Sequence, residues 1–428
     1  LKRSARRPSS DIRGRDFPQC RPEFHRMRAP GGEPCPHTGM TDATAATPVS
    51  DVPARDRTTW AELFFDLVLA FGVGQVAHPV AVHPSWPVLG ECLLVLAPLW
   101  WAWVDVVMAM NAVHETTLQR VFLLLTALTV YGMAVAAPLA LEDREAALLY
   151  SGSYLALRLL IGEMIRRECA LYTIHPYRAG LAFALLLFAS AAVPAPWREA
   201  CWAFAVVAEI AAPVVLSGHL RQLAFGVNHL PERFGLFVMI ALGENVFAVG
   251  AGAAHSSLAP SELTALVLAF LVGCALWWLY FHLVASAVAH ALRTHPSPSV
   301  VVRDVLSYGH LVLVVGLLLV SVGATRTVRS PLHIPDGLSA ALLPCGAALF
   351  MLAFCYTRRR MFGAASATRF YCGLALLVLA LPVWRLPGVA TLAVTTVLLL
   401  LVNAVEHWLI SSGRQVPLIL RNRGFAAA

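Results

Sequence analysis

Two acids open the first long apolar run of the chain four residues apart, Glu62 and Asp66, within Trp60-Ala61-Glu62-Leu63-Phe64-Phe65-Asp66. In a helix that spacing puts both carboxylates on one face, a turn apart. Two acids so close need a cation nearby or hold a proton between them. A later run opens with Glu232 and Arg233 and reaches Glu244 beside Gly243. Arg233 is the cation expected beside Glu62 and Asp66, and it shares a helix face with Glu244. Arg158, Glu209 and Glu244 each lie about eleven or twelve residues into an apolar run, which is near mid-bilayer at about 1.5 Å per residue. A charge there costs about 2.5–3.5 kcal/mol by insertion scales. Opposite charges at one depth are therefore expected to pair, and Glu244 is expected to meet Arg158 or Arg233. Such groups can hold a proton or bind a substrate; the alternative is a structural clamp of Arg against carboxylate.

Asp105 and His282 occupy matching places near the ends of two runs. Facing each other, they would make a carboxylate–imidazole pair able to pass a proton near neutral pH. Trp100, Trp101 and Trp103 on one run and Trp277, Trp278 and Tyr280 on another are candidate aromatic walls of a cavity, able to stabilise a cationic intermediate. Catalytic residues are not assigned. Histidines such as His78, His83, His114, His310 and His407 lack the spacing of a metal site such as HExxH, so no metal and no cofactor are expected.

Elements that hold charges at such depths must be membrane helices. Of 428 residues, 58% are hydrophobic and 13% charged, and the mean hydropathy of +0.68 excludes a soluble protein of this length. The formal charge of +7 does not point to nucleic acid, because almost all of it is Arg in short loops and tails, where it sets topology. Nine cysteines without a CxxC pair read as small buried apolar residues. Cys20, His25, Cys35 and His37 match no common zinc spacing.

Residues 1–57 are rich in Arg, Pro, Ser and Gly and read as a disordered tail. The chain begins at Leu1 and Met40 precedes the first apolar run, so an over-extended gene start is the expectation. From Trp60 onward twelve runs of about 18–25 residues are long enough to cross a bilayer. They lie near 60–80, 87–109, 118–140, 145–166, 178–194, 198–219, 233–254, 262–288, 303–324, 337–357, 366–384 and 388–411. The expected fold is thus an all-α polytopic membrane protein of about 12 transmembrane helices. With both termini cytoplasmic, Arg residues concentrate in the inner loops; the outer loops carry Arg144, Arg198, Arg326, Arg329 and Arg385, of which Arg326 and Arg329 run most against the bias.

The two halves correspond. Ala61-Glu62-Leu63-Phe64 answers Pro231-Glu232-Arg233-Phe234, Leu99-Trp100-Trp101 answers Leu276-Trp277-Trp278, and Ala147-Leu148-Leu149-Tyr150-Ser151-Gly152 answers Ala341-Leu342-Leu343-Pro344-Cys345-Gly346. Three matches in one order predict a 6+6 parallel internal repeat, 58–222 and 223–412, followed by a cytoplasmic tail over 413–428. Gly74 stands in the first copy where Glu244 stands in the second. Because six is even, the axis relating the halves runs along the membrane normal.

The strings Glu62-Leu63-Phe64-Phe65-Asp66-Leu67, Trp100-Trp101-Ala102-Trp103, Glu232-Arg233-Phe234-Gly235-Leu236-Phe237 and Ile240-Ala241-Leu242-Gly243-Glu244 resemble the bacterial low-temperature-requirement A (LtrA) family over roughly residues 58–412. The resemblance implies a multi-pass inner-membrane protein and carries over the motif positions Glu62, Asp66, Trp100, Trp101, Glu232, Arg233, Gly243 and Glu244. Asn245 departs from the small residue expected beside the acid. The family name describes a cold-growth phenotype and no reaction. The functional expectation is a transporter or proton-linked permease of unknown substrate. The rivals are an intramembrane enzyme acting on a lipid or isoprenoid, although no DDxxD-like motif is present, and a structural or sensory protein of cold adaptation. The expected partners are the lipid bilayer and a small-molecule or ion substrate.

Overall fold

The computed structural model describes residues 58–112, 116–168, 175–216, 229–253, 259–282, 284–381 and 385–420. The tail read over 1–57, with Cys20, His25, Cys35, His37 and Met40, lies outside the described residues, as does the loop residue Arg221. Helices stand at all twelve of the apolar runs. They are α1 (Trp60–Val82), α2 (Trp86–Ala112), α3 (Thr117–Ala136), α4 (Arg144–Glu168), α5 (His175–Ser190), α6 (Trp197–Val215), α7 (His229–Ala253), α8 (Pro260–Phe281) with a short continuation α9 (Val284–Thr294), α10 (Pro298–Arg329), α11 (Gly337–Phe362), α12 (Ala367–Leu379) and α13 (Gly388–Ser411).

Among the described residues nine helical stretches are long and apolar enough to cross a membrane: α1 to α4, α7, the α8–α9 stretch, α10, α11 and α13. The α5 and α12 segments are shorter apolar helices, and α6 carries Arg198, Glu199 and Glu209, which lower its hydropathy. The chain is an all-α polytopic membrane protein. The described strands are two-residue pieces, Ala365–Ser366 and Leu418–Ile419, paired antiparallel at one end of the bundle.

Local sequence explains the framing of these helices. Thr59 caps α1: its hydroxyl accepts the Glu62 N–H at 3.3 Å, while the Glu62 carboxylate accepts the Thr59 N–H at 2.9 Å, a reciprocal arrangement that satisfies two orphan donors. Large apolar side chains such as Leu67, Leu128, Phe204, Phe247 and Leu401 are exposed, as expected of faces that meet lipid. Within α10 the stretch Val301–Gly309 is wound as a π-helix, which frees carbonyls for side-chain donors.

The order of packing recurs along the chain. In the first part α1 packs on α2 and α3, α3 on α4, α4 on α5 and α5 on α6. In the second part α7 packs on α8 and α10, α10 on α11, α11 on α12 and α12 on α13. Between the parts, α1 lies against α7 and α10. The α10–α11 approach depends on glycine: a Cβ on Gly346 would stand 2.7 Å from the Gly316 carbonyl and from the Val320 nitrogen. Small residues of this kind let membrane helices approach backbone to backbone.

Candidate functional site

At the shared end of α1 and α7, five hydrogen-bonding side chains converge without solvent. Arg233 is fully buried. It donates to Glu62 Oε1 at 2.8 Å and to Asp66 Oδ1 at 3.3 Å. Trp103, from α2, donates its indole N–H to the same Asp66 oxygen at 2.7 Å. His229, one turn before Arg233 on α7, brings its Nε2 within 3.4 Å of Glu62 Oε2. Phe65 lies under the guanidinium, 5.9 Å from ring centroid to Cζ. Helix periodicity builds this group, since Glu62 and Asp66 lie one turn apart on α1 and His229 and Arg233 one turn apart on α7.

A second group lies between α2, α4 and α6. Arg158 forms ion pairs with Asp105 and Glu209, and Tyr154, one turn before Arg158 on α4, bonds to Glu209. Gly180 on α5 leaves the space for the guanidinium: a Cβ there would lie 2.5 Å from Arg158 Nη1. Pro213 explains a further bond. It has no N–H, so the Glu209 carbonyl one turn earlier has no helical donor. The Trp101 indole supplies one at 3.1 Å.

Each group sets two carboxylates against one guanidinium. In a low-dielectric interior that leaves one negative charge uncompensated in the Arg158 group, and likewise in the Arg233 group when His229 is neutral. Such a site favours a proton or a small cation. Asp66 Oδ2 and Arg233 Nε have no hydrogen-bond partner among the described residues, so the Arg233 group is not fully satisfied.

Glu244 stands apart from both. Arg158 and Arg233 are engaged elsewhere, and no cation or donor meets Glu244 among the described residues. This corrects the expectation that one of those arginines compensates it. The carboxylate instead rests against α1, where a Cβ on Gly74 would lie 3.0 Å from Glu244 Oε1. The residue that answers Glu244 in the proposed first copy is therefore the residue that makes room for it.

Other expectations also change. Asp105 faces Arg158 and not His282; His282 is exposed and stacks on Trp278 at 5.1 Å. Glu232 is exposed, because a neighbour in sequence is rotated about 100° around the helix from Arg233. The six aromatic candidates do not share one wall. Trp100, Trp101 and Trp103 are buried in the core, Trp277 and Trp278 are 41% and 39% exposed, and Tyr280 is buried against His310 with its hydroxyl 2.8 Å from Nε2.

Four participants escaped the sequence reading as site residues: His229, Tyr154, His310 and Gly180. His229 and Tyr154 were findable, since each precedes a buried Arg by one turn. The placement of His310 depends on the π-helical segment, which also offers the Ser307 carbonyl to the Trp100 indole at 3.1 Å. No apolar periodicity announces such a segment. Among the described residues no three His, Cys, Asp or Glu side chains converge as metal ligands.

The chain is 26% identical over 373 residues to a Rhizobium meliloti (strain 1021) protein named uncharacterized protein RA0937, covering 82% of this chain and 89% of that one. Residues 57–404 match the family described as Bacterial low temperature requirement A protein (LtrA). That span holds Glu62, Asp66, Asp105, Arg158, Glu209, Arg233 and Glu244, and the chain belongs to the bacterial low temperature requirement A family.

Proposed function

We propose that this protein is a proton-linked membrane transporter, its twelve helices arranged as two parallel six-helix repeats in the inner membrane with both termini cytoplasmic. The observation that carries the reading is Glu244, a carboxylate within an apolar helix with no cation beside it among the described residues. It is accompanied by two groups in which carboxylates outnumber guanidinium. An acid so placed favours its neutral form in the bilayer and can exchange a proton when water reaches it. The recurring packing order, α1 on α3 and α7 on α10, supports the repeat. The α1–α7 contact then lies between the halves, where transporters of this design rock about their site. The substrate class is a small molecule or ion.

The closed ion pairs of Arg158 and Arg233 favour a second reading, a structural or sensory membrane protein whose charges serve only to lock helices. The two separate by experiment. Purified protein in liposomes containing a pH-sensitive dye should collapse an imposed proton gradient in wild type, and Glu244→Gln should abolish that flux while leaving thermal stability unchanged. Absence of any gradient-dependent flux in wild type favours the locking role. The intramembrane enzyme reading loses its main support because the six aromatic side chains do not line a common cavity.

A further inference from the structure

At the end of the bundle where α10 stops and α11 and α13 begin, a cavity of about 210 Å³ is lined by Arg326, Arg329, Ser330, His333, Asp336 and Ser339, among others. Its two arginines are among the loop arginines that run against the expected orientation bias. Arg326 has a structural reason to be there, since its guanidinium donates to the Ala81 carbonyl at the C-terminal end of α1 at 2.7 Å, where helix carbonyls lack internal donors. Arg329 has none. It is exposed, and no acid pairs with it among the described residues. Its Nε lies beside α7, 3.7 Å from where a Cβ on Gly252 would stand.

Three further features of the cavity favour an anion with several acceptor oxygens. The 26-residue helix α11 starts at its rim, and its N-cap Asp336 makes no side-chain bond to the first turn, so first-turn N–H groups remain for another acceptor. Ser330, Ser339 and His333 add donors. The first-turn N–H groups of α13 are already used, with Gly388 donating to the His333 carbonyl and Val389 to the Pro331 carbonyl, both at 2.9 Å. That bonding fixes the backbone which carries His333. The charges facing the cavity are Arg326, Arg329 and Asp336, which sum to a net positive charge before His333 is counted. At about 210 Å³ the space is smaller than the roughly 300–1,000 Å³ typical of sites for drug-sized ligands, and it suits a single compact group.

We propose that this cavity binds a phosphate group, with Arg329 as its principal anchor and His333, Ser339 and the start of α11 completing the cradle. The site is separate from Glu244, which lies eight positions before Gly252 on α7, about 12 Å along the helix. The proposal does not depend on transport.

The test uses the full chain in nanodiscs of phosphatidylcholine and, separately, of phosphatidylglycerol, with inorganic phosphate as probe at constant ionic strength and Trp emission as the unfolding signal. Wild type in phosphatidylcholine should gain several degrees in Tm, saturably. Arg329→Gln should raise the half-saturating phosphate concentration at least tenfold, and His333→Gln or Ser339→Ala should raise it by less; these two keep the test open if the arginine variant does not fold. If the phosphate effect disappears in phosphatidylglycerol, the natural ligand is an anionic lipid headgroup, whereas an effect equal in both lipids identifies a soluble phosphate compound. Absence of the effect in wild type in phosphatidylcholine, or equal half-saturation in wild type and all three variants, would overturn the proposal.

Discussion

Arg233 is one of two buried arginines that each meet two carboxylates. It is fully buried and meets Glu62 and Asp66 from another helix at 2.8 and 3.3 Å. Removing one partner of a buried ion group leaves the other charges uncompensated, at a cost of about 3–5 kcal/mol. Arg233→Met should therefore lower the yield and Tm of folded protein sharply. Neutralising the acids as well, with Glu62→Gln and Asp66→Asn in the same chain, should recover most of the loss; no recovery would mean that the arginine acts through packing on Phe65 and not through charge. Gly74→Val bears on Glu244. The added side chain enters the space that the Glu244 carboxylate occupies, so proton flux should fall while Arg233→Met-like instability is absent. Flux equal to wild type would contradict the assigned contact.

At the scale of elements, proline and aromatic residues work together. Pro213 leaves the Glu209 carbonyl without a helical donor and Trp101 fills the gap at 3.1 Å. Near Pro98, Tyr150 also donates to a helix carbonyl, that of Val95, at 2.5 Å. A hydrogen bond of this kind contributes about 1 kcal/mol. Trp101→Phe should cost about that amount in wild type but less in a Pro213→Ala background, where the helix supplies its own donor. Unfolding of the four proteins of this cycle measures the coupling, and strictly additive effects would contradict the pairing. Helix positions were legible in the sequence because an apolar run in a bilayer has one stable conformation. The face shared by Glu62 and Asp66 was legible for the same local reason; the capping box at Thr59 and Glu62 was missed, although its Thr-x-x-Glu spacing is a local signal. The partner of each charge was not legible. Arg158, Glu209 and Glu244 lie at comparable depths in their runs, and depth alone cannot say that α4 turns Arg158 toward Asp105 and Glu209 and leaves Glu244 without it. That choice is set by rotation of whole helices and by the room left at Gly180.

In the whole molecule, the charges described above are of two kinds. The Arg158 and Arg233 groups tie helices together: α2, α4 and α6 in one case, α1, α2 and α7 in the other. Glu244 ties nothing, and sits where α1 and α7 touch. The family assignment was legible in the strings around Glu62, Trp100 and Glu232, yet the exposed Glu232 shows that a residue within such a string need not belong to the site. The division of labour leads to one comparison. Proteoliposomes of wild type, Glu244→Gln and Glu244→Asp, each checked for equal insertion and Tm, are given an inward proton gradient and followed with an entrapped pH dye. The account predicts flux in wild type, partial flux in Glu244→Asp and none in Glu244→Gln; equal flux in wild type and Glu244→Gln would contradict it.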